Sequence, residues 1–316
     1  MIMNSKIVFK NIDKIFITVV LLLLLLLPFF ISSYYVHFLI ILFIYMCLAE
    51  SWNIIGGFCG QVSFGHAAFF GVGAYAASLL HVYLNFPVIF AIILGGLASS
   101  FLALIIAYPF LKLKGPAFAI GTLGFTEFMK IIILNEEKWT HGAAGFENPV
   151  TTYLSIPKYG WYLGALIILL ITIFVSYKIS KSKFGLALFS IKEDLEAAEA
   201  LGINSIKYMI LAFTISTFFA GLIGGIYAFY MTYIEPYSIF SSALSIGCVT
   251  MSVLGGSGTV IGPLLGALII QLLNEFFKSF LAQTYLIING VILILVVLTM
   301  PEGIISGIRK FIKSKY

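Results

Sequence analysis

Long apolar segments recur from one end of this chain to the other, and they decide its solvent before anything else. A helix needs about 20 mainly apolar residues to cross the hydrocarbon core of a bilayer. Ten segments approach that requirement: 15–33, 36–55, 67–84, 87–111, 117–134, 161–179, 208–231, 240–254, 260–278 and 285–300. Backbone in hydrocarbon must satisfy its own hydrogen bonds, which makes segments of this length helices. The predicted fold is therefore all-α, a polytopic transmembrane helix bundle of about 10 spans (8–10) forming one domain over residues 1–316. Composition agrees: 10% of residues are charged, where soluble domains run near a quarter. Lys6, Lys10 and Lys14 before an apolar run resemble a signal peptide, but the run is longer than a signal core and no small-residue cleavage site follows. It reads as a retained first span.

Lys and Arg set the expected orientation. With the N-terminus inside, 14 of the 18 Lys and Arg residues fall on the inner side, at the termini, at Lys112 and Lys114, and between Lys178 and Lys207. The expectation is N-in and C-in. The net charge of +5 does not mark a nucleic-acid binder, because the basic residues flank apolar runs instead of forming one stripe. Cys47, Cys59 and Cys248 lie in or beside apolar segments and read as packing residues. His37, His66, His81 and His141 have no metal-ligand spacing.

Polar and glycine-rich interruptions mark the candidate functional positions. Asn53 to Tyr75 places Asn53, Gly60, Gln61, Ser63, Gly65, His66, Gly71 and Gly73 within apolar flanks. Glycine costs about 1 kcal/mol against alanine inside a helix, so a break is expected here. Two readings are open: a turn lining a transport pathway, or close helix packing with an ordinary turn. Glu127 falls midway along a span, where an unpaired carboxylate costs about 2.5–3.5 kcal/mol. It reads either as a pathway residue or as a packing hydrogen bond, and Glu50 as an interfacial group. Residues 135–160 are the longest outer loop, with Trp139, Trp161 and Tyr162 as interface anchors. Gly255, Gly256, Gly258, Gly262 and Gly266 form a second glycine-rich string. In it, Gly258, Gly262 and Gly266 suggest a small-residue ladder down one helix face, kinked at Pro263.

The loop at about 180–207 is charged where its surroundings are not. Ser190 and Glu193 have capping-box spacing, Gly202 fits the position just past a helix end, and residues 191–201 read as one isolated helix. Ile191, Leu195, Ala198 and Leu201 share a face, while Glu193, Asp194, Glu196 and Glu199 against Lys192 leave a net charge of −3. An acidic helix is a poor ligand for anionic lipid, so a protein surface is the expected cover for its apolar face.

The chain has no glycine-rich phosphate loop ending in Lys-Ser/Thr, and no nucleophile–base set stands out. Glu196-Ala197-Ala198, followed by Gly202, resembles the EAA loop of ABC importer permeases. Gly60-Gln61-x-Ser63-x-Gly65-His66-Ala67-Ala68-Phe69-x-Gly71-x-Gly73, Lys114-Gly115-Pro116 through Glu127, Thr140 to Gly145 and the Gly255–Ala267 string resemble branched-chain amino acid permeases of the LivM type. That resemblance covers about residues 40–300. It implies a multi-pass permease of a prokaryotic cytoplasmic (inner) membrane, not an enzyme, carrying leucine, isoleucine or valine. It implies a second, related permease (LivH-type), an extracytoplasmic substrate-binding protein and two cytoplasmic ATPase subunits that hold ATP with Mg. Ser190, Glu193, Leu195, Glu196, Ala197, Ala198, Leu201 and Gly202 would then couple to an ATPase. Related systems carry urea, amides or other amino acids. A self-contained secondary transporter or channel is the alternative of another class, and it would need mid-membrane charge, which is scarce here.

Overall fold

The computed structural model describes residues 22–113, 115–148 and 157–278, with residues 290, 291, 294 and 303–305. The expected spans 15–33 and 285–300, and Lys114, lie largely or wholly outside these. Among the described residues seven helical segments are long and apolar enough to cross a membrane. In chain order the helices are α1 (Ser33–Trp52, continuing as a π-helix through Asn53–Phe58), α2 (His66–Leu84), α3 (Val88–Leu111), α4 (Pro116–Asn135) and α5 (Lys158–Ser180). There follow α6 (Lys183–Glu193), α7 (Leu195–Ala200), α8 (Ser205–Met231), α9 (Ser242–Gly255) and α10 (Gly262–Lys278). The span containing α9 starts one turn early, at Pro236, and α10 is apolar but shorter.

Local sequence accounts for the ends. Pro116 opens α4 after Gly115, whose φ of 55° is open to glycine. The side chain of Asn204 accepts from Lys207 N and caps α8, and Ser241 caps α9 from Leu244 N. Asn85 closes α2 in the left-handed region, and Pro87 sets the chain for α3.

α8 is the central helix, packed on α2, α3 and α1, while α5 lies against α1 and α10 pairs with α9. Small residues permit the closest crossings. A Cβ at Gly73 would collide with the backbone of Gly221, and one at Gly224 with the carbonyl of Phe70. Ser99 Oγ donates to Phe69 O across α2 and α3 at 2.7 Å. At one end of the bundle a two-residue antiparallel ladder pairs β1 (Phe146–Glu147) with β2 (Tyr233–Ile234). At the other end lie the α1–α2 turn, the α3–α4 turn, the 181–204 segment and the α9–α10 turn.

Two expectations need correction. Tyr162 is not an interface anchor: it is fully buried, and its hydroxyl donates to Leu24 O at 2.7 Å. Glu50 is not interfacial: it is fully buried, and Ser176 Oγ donates to its carboxylate. Aromatic bulk and charge type do not reveal which face of a span meets protein, and here both residues face the seam between α1 and α5.

Candidate coupling face and cavity

The 181–204 segment is two helices, not one. Ser182 caps α6 by accepting from Gly185 N at 3.2 Å. Asp194 has extended backbone (φ −155°, ψ 111°), which ends α6, and its carboxylate caps α7 by accepting from Glu196 N at 2.9 Å and Ala197 N at 3.0 Å. The Ser190–Glu193 capping box does not form. Ser190 is already helical, and its hydroxyl donates back to Leu186 O at 3.0 Å. Gly202 does close the segment, at φ 86°. Its amide donates to Glu199 O and that of Ile203 to Ala198 O, the paired bonds of a Schellman end.

The apolar face divides between two environments. Ile191 and Ala198 are buried on the bundle's own underside, Leu195 is half-buried and Leu201 is 82% exposed. Glu193, Asp194, Glu196, Ala197 and Glu199 are exposed, with Ser205 Oγ donating to the Glu199 carboxylate. Lys192 is exposed as well, but it reaches back to the bundle: its Nζ donates to Gly57 O at 2.9 Å.

The break after α1 is tied by hydrogen bonds to α1 itself and to α4, α8 and α9. Trp52 Nε1 donates to Ser63 O at 2.7 Å, and Ser63 Oγ accepts from Gly65 N. Thr122 Oγ1 accepts from Phe64 N, and Thr126 Oγ1 donates to Phe64 O, which fastens the turn to α4. His66 Nε2 lies 3.0 Å from Ser216 Oγ. That hydroxyl gives its proton to Ser51 O, so the imidazole is the donor. Ala67 N donates to Ser245 Oγ of α9. Gly60 turns the chain at φ 77° and Gln61 is half-buried. Gly71 clears the Phe240 ring. These contacts fasten the break to its neighbouring helices.

The second glycine string is not a ladder on one helix. Gly255 ends α9, Gly256 (φ 117°) and Gly258 (φ 85°) form the turn, and α10 begins at Gly262. Pro263 therefore sits in a first turn, where no helix is kinked. A Cβ at Gly266 would strike Met251 O, and one at Gly255 would strike Gly262 O. The glycines let two antiparallel helices touch. Sequence spacing of four misled because it does not reveal a turn within the string.

Glu127 is partly exposed and forms an ion pair with Lys130, three residues on. None of the pathway candidates lines the one cavity that stands out between the helices described so far, which is apolar with a few polar points. That cavity, about 540 Å³, lies between α1, α2, α8, α9 and α10. Phe70, Leu244, Met251 and Ile270 give it apolar walls, with Thr250, Gln271 and Asn274 as polar points. Sequence reading missed it. Its signal was faint: Gln271 and Asn274, three apart in an apolar helix. Among the described residues no cluster of His, Cys, Asp and Glu could hold a metal.

Comparison with known proteins places this geometry. Residues 34–297 match the family model described as branched-chain amino acid transport system, permease component. The chain is 28% identical to the high-affinity branched-chain amino acid transport system permease protein LivM of Salmonella typhimurium, covering 86% of this chain and 70% of the relative. It is 26% identical to LivH of the same organism, over 83% of this chain and 91% of the relative. It is 27% identical to the autoinducer 2 import system permease protein LsrC of Photorhabdus laumondii, over 61% and 57%. No solved structure matches the chain significantly.

Proposed function

This chain belongs to the branched-chain amino acid transport system permease family, and from that premise we propose that it is the membrane-spanning half of a permease pair in an ABC importer. Its partner is a related LivH-type permease, two ATPase subunits that bind ATP with Mg sit on the inner side, and a binding protein delivers cargo from outside. The chain crosses a prokaryotic inner membrane about ten times with both termini inside, as its Lys and Arg distribution favours. Leucine, isoleucine and valine are the cargo, in line with the family and the LivM and LivH relatives. The LsrC relative shows that similar permeases serve other cargo, so urea, amides and other amino acids remain the comparison set.

One observation carries the reading: a discrete, doubly capped helix at one end of the bundle, with Leu201 and the acidic residues Glu193, Asp194, Glu196 and Glu199 exposed on and beside it. A lone helix of six residues would not be stable by itself, and its exposed edge suits a protein cleft. Nucleotide-driven closure of the ATPases would push this segment and rock the spans between outward-facing and inward-facing states. The cavity's apolar walls suit an aliphatic side chain, and we place cargo contact there.

The test is replacement of Glu196 or Gly202 in the reconstituted complex. ATPase co-purification and substrate-stimulated hydrolysis should both fall. Unchanged coupling across such variants would count decisively against the segment as the ATPase contact.

A further inference from the structure

Lys192 is the one basic side chain between Lys183 and Lys207, and although exposed it turns its ammonium to the bundle rather than to the neighbouring carboxylates. Its Nζ donates to Gly57 O at 2.9 Å. Gly57 lies in the last turn of the π-helix that ends α1, where carbonyls lack partners in their own helix and favour a cation. Glycines surround the lysine stem. A Cβ at Gly60 would come within 3.0 Å of Lys192 Cγ, and one at Gly258 within 3.3 Å of Nζ. Gly57 is itself seated on the α9–α10 turn, since a Cβ there would lie 2.6 Å from Gly258 N. Lys192 therefore lies against both the end of α1 and the turn that joins α9 to α10. α6 and α7 are also anchored by buried Ile191 and Ala198.

We propose that Lys192 is a positioning residue that ties the coupling segment to the inner ends of α1, α2, α9 and α10, so that displacement of α6 and α7 is passed to the spans. Any shift of the segment must carry Gly57 and the Gly258 turn with it or break the Lys192 bond. From Gly57 the linkage continues through the 59–66 turn to α4 and α8, by way of Thr122, Thr126 and Ser216. This rests on the reading of residues 180–207 as the ATPase-facing segment, and it adds the route by which movement leaves that segment.

The experiment uses the assembled importer in proteoliposomes, with tritiated leucine as the probe. Lys192→Met keeps the stem and removes the donor, and Lys192→Arg keeps a cationic donor. Lys192→Met should retain its ATPases and continue to hydrolyse ATP. Leucine moved per ATP should fall about fivefold or more, the lower end of ordinary coupling between sites. Lys192→Arg should recover at least half of the loss. The proposal is overturned if Lys192→Met moves leucine per ATP as the parent does, or if Lys192→Arg recovers nothing. It is also overturned if Lys192→Met loses assembled complex while the remainder couples normally, which would leave Lys192 a stabilising role alone. Failure of the underlying reading looks different: the ATPases would then stay bound when Glu196 and Gly202 are replaced.

Discussion

Asn53 and Gly258 stand 205 residues apart in the sequence and within one hydrogen bond in space. Asn53 Oδ1 accepts from Gly258 N at 2.8 Å, and its Nδ2 donates to Thr259 O at 2.9 Å. One buried amide thus meets both a donor and an acceptor of the α9–α10 turn. Asn53→Ala strands those groups and should cost about 1–3 kcal/mol. Asn53→Asp keeps the acceptor but turns a carboxylate on the Thr259 carbonyl, and should cost at least as much. Thermal unfolding of the purified protein in detergent measures both. An Asn53→Ala variant that melts with the parent would remove the clamp from the account.

Three glycines that look alike in the sequence should respond differently to alanine. At Gly73 the added methyl meets Gly221 backbone, which cannot move without parting α2 from α8. Overpacking of this kind costs about 1–3 kcal/mol. At Gly71 it meets the ring of Phe240, which is buried and stacked on Tyr75 but is side chain rather than backbone, so the cost should be smaller than at Gly73. At Gly124 nothing lies within 4 Å, and alanine should be neutral or slightly stabilising. Ranking the melting temperatures tests the order Gly73, Gly71, Gly124, and any reversal of the first and last contradicts it.

The spans were legible because their cause is local: each apolar segment must bury its own backbone polarity, whatever its neighbours do. Eight of the ten expected segments correspond to helices among the described residues. What was not legible depends on partners. Glu50 and Tyr162 are buried because α1 and α5 meet there, which no one-dimensional pattern records. Glu127 is open to two readings from its position in the span alone, and the Lys130 that pairs with it stands three residues on, at a spacing the sequence does show. Gly258, Gly262 and Gly266 kept helical spacing across a turn. Asp194, the true cap of α7, was counted only as a charge.

The cavity offers a direct trial of where cargo meets this chain. Gly247 lines it, and a Cβ there would sit 3.5 Å from Met251 Cε, an ordinary contact. Gly247→Leu therefore adds bulk to the space without striking backbone. One methylene in an apolar pocket already shifts preference by about tenfold or more, so leucine uptake should fall by at least about tenfold while the complex still assembles and hydrolyses ATP. Normal uptake by a well-assembled Gly247→Leu complex would exclude the cavity from the route. Gly247→Ala, with little added volume, is the control for backbone effects.

Ser190 and Asp194 separate the two accounts of the acidic segment. If Ser190 opened a helix, Ser190→Ala would remove a cap. In this fold its hydroxyl only returns to Leu186 O, within a helix already begun at Lys183, so Ser190→Ala should be nearly silent. Asp194 caps α7 through two amides. Asp194→Ala should cost about 0.5–2 kcal/mol of local helix stability. Because α7 holds only six residues, Leu195–Ala200, that loss is enough to unravel it. Asp194→Asn keeps a capping oxygen and removes a charge from the outward face. Hydrogen exchange across residues 195–203 should quicken in Asp194→Ala and stay near the parent in Ser190→Ala and Asp194→Asn. ATPase co-purification should follow the same order if the folded helix is what the partner grips. If Asp194→Asn weakens it as much as Asp194→Ala, charge is the recognised feature, and raising the salt concentration should then weaken the parent complex as well.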